Sequence, residues 1–287
     1  LHDAWAYSGS EHYPNGIDDF RFKDGYKKVN KPFTHTLLDL DRWCWQRKLK
    51  QWKTPFHIVC PSNWLANIAK ESFLMREWPI RIIPNPLDTT IFQPCNKKLA
   101  RKIFNLPISK PLILFAGARG TKEKRKGWHL LERSLKKLKH LNPEIEIVLL
   151  GESEPKEKLF NDLLIHYIGF LKDENSLALL YSAVDIVVIP STIDNLPQIG
   201  TEAQSCGVPV AAFNCSGLTD IVKNKKTGYL AKPYDCDELA YGINLIIGNK
   251  VIKEKMQVES RNNALSNWSP YKVSKSYKDL FDEILSV

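Results

Sequence analysis

Short apolar runs and amphipathic stretches alternate along most of the chain. The runs are rich in Val, Ile and Leu and lack the strict alternation of a strand with one wet face, which is typical of strands buried on both faces. They predict strands at residues 56–60, 80–83, 112–116, 145–150, 165–170, 185–189 and 208–213. Between most of them, apolar residues recur at helical spacing. Strands that alternate with helices predict an α/β protein with parallel sheets.

The strand predicted at residues 185–189 leads directly into a candidate site. The residues after it predict a loop at 191–196, a helix at 198–206 and a further strand at 208–213. Gly207 and Pro209 are typical of residues that follow a helix end. In such strand-helix-strand units, ligands bind outside the carboxyl ends of the strands. We therefore expect the chemistry of the protein in the loop and at the start of the helix.

Two acidic residues mark this place, Asp194 in the loop and Glu202 eight residues later in the helix. The backbone N–H groups of Gln198 and Ile199, at the helix start, lack helical acceptors and can hold a phosphate. A carboxylate one turn further along can accept hydrogen bonds from ribose or sugar hydroxyls, so the combination predicts a nucleotide sugar. Taken singly, Asp194 also fits a turn residue and Glu202 a solvated helix residue.

The stretch from residue 190 to residue 233 resembles the carboxy-terminal signature of the family 4 (group 1) retaining glycosyltransferases. It carries two acids at the family's E-x7-E spacing, then C-G-V-P-V and T-G-Y-L. Asp194 stands where most of the family has Glu, and Asn195-Leu196-Pro197 stands where Gly-Phe-Gly is usual. The D-N-L-P variant resembles an exopolysaccharide-building, colanic-acid-type branch. The resemblance implies that Asp194 faces the donor sugar and Glu202 the ribose.

A basic, glycine-bearing loop at residues 117–127 separates the strand at 112–116 from a predicted helix. Its cations and exposed amides can cradle a diphosphate, although a charge run of this kind is also typical of a solvated loop. The family has Arg after this strand and Lys-Gly at the helix start. The resemblance therefore implies that Arg119 and Lys126 bind the donor diphosphate, with Lys124 or Arg125 as alternatives.

The resemblance also implies two further parts of the site. In the family, the nucleotide base packs near the ends of the strands predicted at 145–150 and 165–170. Residues 167–171 are therefore candidates for the base pocket, foremost Tyr167, Ile168 and Gly169. The start of the chain, H-D-A-W-A-Y-S-G, resembles an H-D-x-W-x-x-T-G motif. A family histidine at that place faces the donor, so His2 joins Asp194 as a candidate catalytic residue.

The resemblance extends to the domain organisation and implies the GT-B fold, with two facing Rossmann-like domains. Residues 83–92 resemble the I-P-N-x-x-D-x-x-x-F linker of the family, and we place the domain boundary near residue 106. The prediction is a partial N-terminal acceptor-side domain with the linker at 1–106, a nucleotide-sugar-binding domain at 107–268, and a helix crossing back at 269–287. Because the chain starts at Leu1 in an apparent strand end, we expect a truncated, incomplete N-terminal domain.

Composition narrows the choice of partners. Lys and Arg number 41 against 32 Asp and Glu, which favours anionic partners such as phosphates, acidic lipids or nucleic acid. We assign no nucleic-acid partner, because no stacking platform or known motif accompanies the charge. The six cysteines lack zinc-ligand spacing, which predicts no metal site and a reduced, cytoplasmic protein. No apolar run approaches the ~20 residues of a membrane-spanning helix, so any membrane contact is expected to be peripheral.

The helix predicted at residues 34–53 combines a basic surface with tryptophan. Leu38, Trp45, Leu49 and Trp52 would share one side, with Arg and Lys elsewhere. One interpretation is a helix resting on the anionic inner face of the cell membrane near a lipid-linked acceptor. The other is a stripe that faces the core, with a solvated basic face.

The resemblance implies a retaining glycosyltransferase of polysaccharide biosynthesis. The resemblance implies transfer from a UDP- or GDP-linked sugar to a hydroxyl of a saccharide or polyprenol-linked saccharide, with no metal or other cofactor. A second class is a non-catalytic GT-B module that binds a nucleotide or regulates a partner. The replacement at Asp194 and the expected truncation favour this alternative, because either change can leave the chain inactive.

Overall fold

The computed structural model describes residues 1–13, 20–32, 38–117, 120–153 and 163–286. The chain divides into two compact units, Leu1–Pro84 and Asn85–Val287. No helix in these ranges is both long and apolar enough to cross a lipid bilayer.

The first unit is built on a small parallel sheet. Its strands β1 (Ile58–Cys60) and β2 (Ile80–Ile82) pair in parallel, as the connection through α3 (Asn63–Glu71) requires. Helices α1 (Arg21–Asp24) and α2 (Leu40–Gln51) precede the sheet, with a 3-10 helix at Lys28–Asn30 between them. Leu65, Met75 and other apolar side chains between these elements form the core of the unit.

Helix α2 confirms the apolar stripe only in part. Trp45 is buried and Trp52 packs on the same core, whereas Leu38 is 80% exposed and Leu49 is 42% exposed. Leu38 precedes the helix, which begins at Leu40, so it cannot share the helical face. Residues 33–37 of the predicted helix lie outside the described residues. The core therefore takes Trp45 and Trp52 and leaves Leu38 and Leu49 exposed.

Lys48 on α2 holds the amino-terminal segment of the first unit. Its ammonium donates to the backbone carbonyls of Trp5, Ser8 and Gly9, the last at 2.6 Å. It also lies 4.0 Å from the Trp5 ring centroid. The side chain is buried, and burial lowers the pKa of its ammonium. Three carbonyls around one buried ammonium fix the loop that carries His2.

The second unit contains a six-stranded parallel sheet in the order β5-β4-β3-β6-β7-β8. The strands are β3 (Leu112–Ala116), β4 (Glu146–Leu150), β5 (Ile165–Gly169), β6 (Ile186–Ile189), β7 (Val210–Phe213) and β8 (Gly228–Ala231). Numbered from β3, this is the order 3-2-1-4-5-6 of a doubly wound dinucleotide-binding fold. The order reverses between β3 and β6, which creates a crevice beyond their carboxyl ends.

Helices cover both faces of this sheet. They are α4 (Lys97–Ile103), α5 (Trp128–Leu141), α6 (Glu174–Ala183), α7 (Gln198–Ser205), α8 (Leu218–Ile221), α9 (Cys236–Ile247) and α10 (Lys250–Asn267), and a further helix, α11 (Pro270–Leu285), follows α10. Successive residues of a strand point to opposite faces. Leu112 and Leu114 accordingly pack with α4, α6, α7 and α10, while Ile113 and Phe115 pack with α5 and α9. The result is a three-layer, Rossmann-like domain.

The linker belongs to the second unit. The sequence places the boundary near residue 106, but Leu87, Phe92 and Leu106 are buried in the core of the second unit, which begins at Asn85. The Leu87 N–H donates to the Trp268 carbonyl at 2.8 Å. The prolines of the linker predict irregular structure. They do not indicate whether the residues between them pack in the first unit or in the second.

An ion-pair cluster joins four elements at the amino end of β6. The carboxylate of Asp185 accepts from Lys97 at 2.7 Å, Arg101 at 2.8 Å and Lys253 at 2.8 Å. It also accepts from the Leu112 N–H at 2.9 Å. Burial alone would raise the pKa of Asp185, but the ion pairs with Lys97 and Lys253 outweigh it and hold that pKa well below its ordinary value. The cluster ties α4, α10, β3 and β6 together.

Candidate functional site

A cavity of about 300 Å³ lies at the crevice where the strand order reverses. It is lined by Ala116, Gly117, Lys126, Leu150, Gly151, Phe170, Leu171, Pro197, Gln198 and Ile199. These residues come from the carboxyl ends of β3, β4 and β5, from the basic loop before α5 and from the start of α7. The cavity is therefore at the place where a doubly wound sheet binds ligands.

Two glycines let the loops at this crevice approach one another. Gly127 has φ +75°, and a Cβ built there would lie 1.9 Å from the carbonyl oxygen of Pro190. A Cβ at Gly217 would lie 1.3 Å from the carbonyl oxygen of Asn195. Any side chain at either position would therefore push away the loop after β6. Glycine at both positions allows the loop that carries Asp194 to be packed from two sides.

Asp194 is buried in this loop and paired with cations from the loop after β3. Its Oδ2 lies 2.7 Å from the Lys126 ammonium and 3.4 Å from Nη1 of Arg125. The Ser191 hydroxyl is 3.4 Å from the same oxygen. The Asp194 N–H donates to the Ser216 hydroxyl at 3.1 Å. Asp194 and Lys126, both predicted to contact the donor, therefore form an ion pair with each other.

Arg125 serves mainly to close the loop. Its Nη1 donates to the Ile193 carbonyl at 3.0 Å, and its Nη2 pairs with Glu123 at 2.8 Å. The Arg125 carbonyl accepts from the Thr192 N–H at 2.9 Å. Of the two, Lys126 lines the cavity and Arg125 does not, which favours Lys126 as a ligand for an anion there.

Helix α7 points its amino terminus at the cavity. Pro197 occupies the cap position in extended conformation, and Gln198 and Ile199 line the cavity. Helix geometry leaves the first backbone N–H groups without intrahelical acceptors and gives this end partial positive charge. With the Lys126 ammonium beside it, the helix start is suited to hold an anion.

Glu202 lies one turn along α7 from Gln198. Its Oε2 accepts a hydrogen bond from the Tyr181 hydroxyl at 2.6 Å. Burial raises the pKa of the Glu202 carboxyl, and the hydrogen bond from Tyr181 acts in the opposite direction. The carboxylate is thus held in a partly desolvated position on the helix that begins at the cavity.

The structure brings some predicted site residues together and leaves others apart. Lys126, Asp194, Gln198 and Ile199 meet at the crevice, with Glu202 on the same helix. Arg119 lies outside the described residues. His2 is exposed in the first unit, within the segment held by Lys48.

The residues predicted for the base pocket divide between the sheet and the cavity. The side chains of Tyr167 and Ile168 are half-buried against the cores on opposite faces of the sheet, while Phe170 and Leu171 line the cavity. Gly169 has φ +70° with open space where a Cβ would stand. Strand alternation turns residues 167 and 168 into the two cores, and the chain reaches the cavity only after the strand ends.

Two polar residues at the site were not predicted from the sequence. Glu152 follows β4 and accepts from the Thr121 N–H at 2.8 Å, which fastens the basic loop. Tyr181 is the partner of Glu202. Neither residue belongs to a local motif, so only the packed structure identifies them.

Metal ligands do not cluster in the part of the chain that the structure describes: no group of three or more His, Cys, Asp or Glu side chains there could hold an ion. All six cysteines are free.

Comparison with known families identifies residues 96–265 as a match to the model for Glycosyl transferases group 1. The match covers more than half of the 287 residues. It includes the basic loop, the loop after β6 and helix α7, so the residues that form the cavity lie within the matched region.

Two curated relatives illustrate the similarity. The chain is 25% identical over 258 residues to the UDP-Gal:alpha-D-GlcNAc-diphosphoundecaprenol alpha-1,3-galactosyltransferase of Escherichia coli, covering 81% of the chain and 62% of that protein. It is 30% identical over 172 residues to the D-inositol 3-phosphate glycosyltransferase of Xylanimonas cellulosilytica, covering 54% of the chain and 40% of that protein. The chain thus spans less than two thirds of either relative.

Solved structures agree on the fold. Sucrose-phosphate synthase from Thermosynechococcus elongatus matches 96% of the chain and 67% of its own length, with a TM-score of 0.71 and 20% identity. The Anabaena protein HepE in complex with UDP-glucose matches 83% of the chain and 68% of its own length, with a TM-score of 0.66 and 17% identity. These neighbours have the GT-B fold, which confirms the predicted fold class.

Proposed function

The chain belongs to the group 1 glycosyltransferases, and we propose that it transfers a sugar from a nucleoside-diphosphate sugar to a hydroxyl of a saccharide or lipid-linked saccharide. The observation that carries the proposal is the meeting of Lys126, the amino terminus of α7 and Asp194 around one cavity. A diphosphate bound there would face an ammonium and a helix dipole, and Glu202 would lie one turn further along for the ribose.

We propose UDP rather than GDP as the donor nucleotide. The HepE complexes contain UDP and UDP-glucose, and the name of the E. coli relative specifies a UDP-linked donor and a lipid-linked acceptor. The same name supports a diphosphate-linked polyprenol as the acceptor carrier. On this basis we assign the chain to polysaccharide biosynthesis on the cytoplasmic side of the membrane, in the exopolysaccharide branch that the D-N-L-P variant resembles.

In the proposed mechanism, negative charge accumulates on the departing diphosphate. This charge is offset by Arg119, Lys126 and the N–H groups of Gln198 and Ile199. Stabilisation of developing charge by fixed cations and dipoles is usually the largest single contribution to catalysis. Asp194 and His2 would orient the donor sugar. We propose departure and attack on the same face of the sugar, which retains its configuration without a protein nucleophile. The positive charge comes from side chains, so we assign no metal or other cofactor.

A lipid-linked acceptor would be easier to reach from a membrane surface. Helix α2 exposes Leu40 and Trp43, and Arg47 lies over the Trp43 ring at 4.8 Å. A basic helix with exposed apolar side chains is suited to an anionic lipid surface. We propose that this helix brings the enzyme to the membrane, with residues 40, 43 and 47 at the contact.

A non-catalytic nucleotide-binding module is the second candidate. The observation that favours it is the ion pair itself, because Asp194 is bonded to Lys126 at 2.7 Å instead of being left to contact a sugar. In that case the nucleotide would bind and no sugar would move.

Equilibrium binding tests the donor site. We would measure binding of UDP, GDP and ADP and of their common sugar conjugates by titration calorimetry. The variants are Arg119→Ala, Lys126→Ala and Glu202→Ala. Exposed Lys255→Ala on α10 is the control of equal charge change for the first two, and exposed Glu254→Ala is the control for the third. We expect selective binding of UDP, weakened about tenfold or more in the three site variants, because each removes a contact to a charged group.

The outcomes separate the candidates. A folded chain that binds no nucleotide would overturn the donor site. Selective binding with transfer of labelled sugar to a polyprenol-linked saccharide would support the transferase. Nucleotide binding without transfer or donor hydrolysis would favour the non-catalytic module.

A further inference from the structure

A hydroxyl from the core of the second unit is aimed at the acid on α7. Tyr181 lies on α6 and is 2% exposed. Its ring packs 6.3 Å from the ring of Phe92, centroid to centroid. From this fixed position its Oη donates to Oε2 of Glu202 at 2.6 Å. The hydroxyl therefore approaches Glu202 from inside the protein, on a side chain that the core holds still.

This bond matters because Glu202 is partly removed from water. Burial penalises a charged carboxylate unless donors replace the lost water. A hydroxyl that donates to a carboxylate forms a strong, charge-assisted bond and favours the charged form. It also selects one orientation of the Glu202 side chain, because the donor itself cannot move.

The bond occupies one carboxylate oxygen and leaves the other for a ligand. Among the described residues, no side chain or backbone group donates to Oε1 of Glu202. Glu202 follows Gln198 by four residues, so both side chains lie on one face of α7. Gln198 lines the cavity. A nucleotide whose diphosphate meets the helix start would therefore have its ribose near this face.

We propose that Tyr181 is a positioning residue for ribose recognition: it fixes Glu202 so that Oε1 accepts hydrogen bonds from the ribose hydroxyls of the donor nucleotide. This inference rests on the proposed function, which supplies the nucleotide. It assigns a role to a residue of α6 that would touch neither the sugar nor the phosphates. Loss of the Tyr181 hydroxyl weakens the contacts to ribose and leaves the contacts to the diphosphate in place.

The test compares UDP with 2′,3′-dideoxy-UDP, which keeps the base and the diphosphate but lacks both ribose hydroxyls. Binding of each is measured by calorimetry on the wild-type chain, Tyr181→Phe and Glu202→Gln. Tyr229→Phe is the matched control, because Tyr229 is also buried in the second unit and its hydroxyl lies 3.4 Å from another carboxylate, that of Glu238. Thermal unfolding establishes that each variant is folded.

We expect the wild-type chain to bind UDP about tenfold or more tightly than the dideoxy analogue, because hydrogen bonds to a charged group are lost. Tyr181→Phe should reduce that ratio to about threefold or less while affinity for the analogue changes by less than about twofold. Glu202→Gln should reduce the ratio as well, because the amide is a weaker acceptor than the carboxylate. Tyr229→Phe should leave it unchanged.

Other outcomes overturn the inference at distinct points. If Tyr181→Phe keeps the wild-type ratio, or loses affinity for UDP and the analogue equally, Tyr181 has no role in reading ribose. If Glu202→Gln keeps the ratio, the carboxylate does not contact the ribose. If the folded wild-type chain binds neither nucleotide, the proposed function fails first and the inference fails with it.

Discussion

The ammonium of Lys126 lies 2.7 Å from Oδ2 of Asp194, and this ion pair joins the loop after β3 to the loop after β6. Both residues were predicted to contact a nucleotide sugar, one through its diphosphate and the other through its sugar. In the structure each is the partner of the other. A bound diphosphate would therefore compete with Asp194 for the same cation.

Removing the charge of Asp194 should separate binding from transfer. We expect Asp194→Asn to bind UDP at least as tightly as the wild-type chain, because Lys126 is released and a negative charge near the diphosphate is lost. Sugar transfer should fall by about tenfold or more if the acid also orients the sugar. Calorimetry and transfer rates on the active enzyme measure the two effects, with exposed Asp279→Asn as the control. Weaker UDP binding would mean that Asp194 serves to hold Lys126 in place.

Replacing Glu202 should stabilise the empty protein while it weakens ribose binding. Burial raises the pKa of this carboxyl in the folded state. The charged form therefore costs stability at pH 7, and this cost disappears as pH falls below the ordinary carboxyl pKa, where the group is protonated in both states. We expect Glu202→Gln to raise the free energy of unfolding at pH 7. Urea unfolding at pH 7 and pH 4 measures this, with exposed Glu254→Gln as the control. If Glu202→Gln raised the free energy of unfolding equally at pH 4 and at pH 7, the stabilisation would not come from removing a buried charge.

Asp185 should be the most costly acid to remove. Asp185→Asn leaves Lys97, Arg101 and Lys253 without their shared partner, and breaking a buried ion pair in this way costs about 3–5 kcal/mol. Because the folded-state pKa is depressed, the stabilisation is present above the ordinary carboxyl pKa and is lost as pH falls through the folded pKa. Urea unfolding of the variant and of Asp237→Asn, an exposed partner of Lys137, measures the difference. Equal effects from the two variants would exclude a special role for the cluster.

Lys48 should control the segment that carries His2. Lys48→Met keeps much of the side-chain volume but leaves three backbone carbonyls without their ammonium donor. We expect hydrogen exchange in residues 1–10 to accelerate by about tenfold or more, because local opening no longer breaks charged hydrogen bonds. Exchange followed by mass spectrometry measures this, with exposed Lys50→Met as the control. Unchanged protection in the variant would show that other contacts hold the segment.

The cysteines should react with iodoacetamide in a defined order. Cys95 is exposed, whereas Cys60 is buried and burial raises the pKa of its thiol to about 11. The reactive species is the thiolate. At pH 8 we therefore expect Cys95 to be modified before Cys60, as measured by peptide mass spectrometry. In denaturant all six should react. Early modification of Cys60 in the folded protein would contradict its burial.

Strands β3, β4, β6 and β7 could be predicted because their burial on both faces leaves a direct mark in the sequence. The run at 112–116 has the bounds of β3, and the other predicted strands are present with ends shifted by at most two residues. Strand β8 was missed because it begins at Gly228, within a pattern that indicates a turn. Helix α4 was missed because it is short and follows a proline-rich linker.

The site could be predicted as far as it lies in the loops at the carboxyl ends of the strands. Lys126, Asp194 and the start of α7 meet because parallel strands bring those loops to one edge. Tyr181 and Asp185 were missed because their partners are distant in the chain. Tyr181 meets Glu202 across 21 residues, and Asp185 meets Arg101 across 84. Such pairs are set by packing and leave no local pattern.

The ion-pair cluster at Asp185 has a consequence for how this protein can evolve. It secures the sheet at the amino ends of β3 and β6, while the cavity lies at the opposite, carboxyl ends. Changes in the loops of the cavity therefore leave the ion pairs of Asp185 in place. A lineage can exchange Glu for Asp194, or Gly-Phe-Gly for Asn195-Leu196-Pro197, without weakening the anchor. New sugar specificities can thus arise at one end of the domain while selection for a stable fold acts at the other.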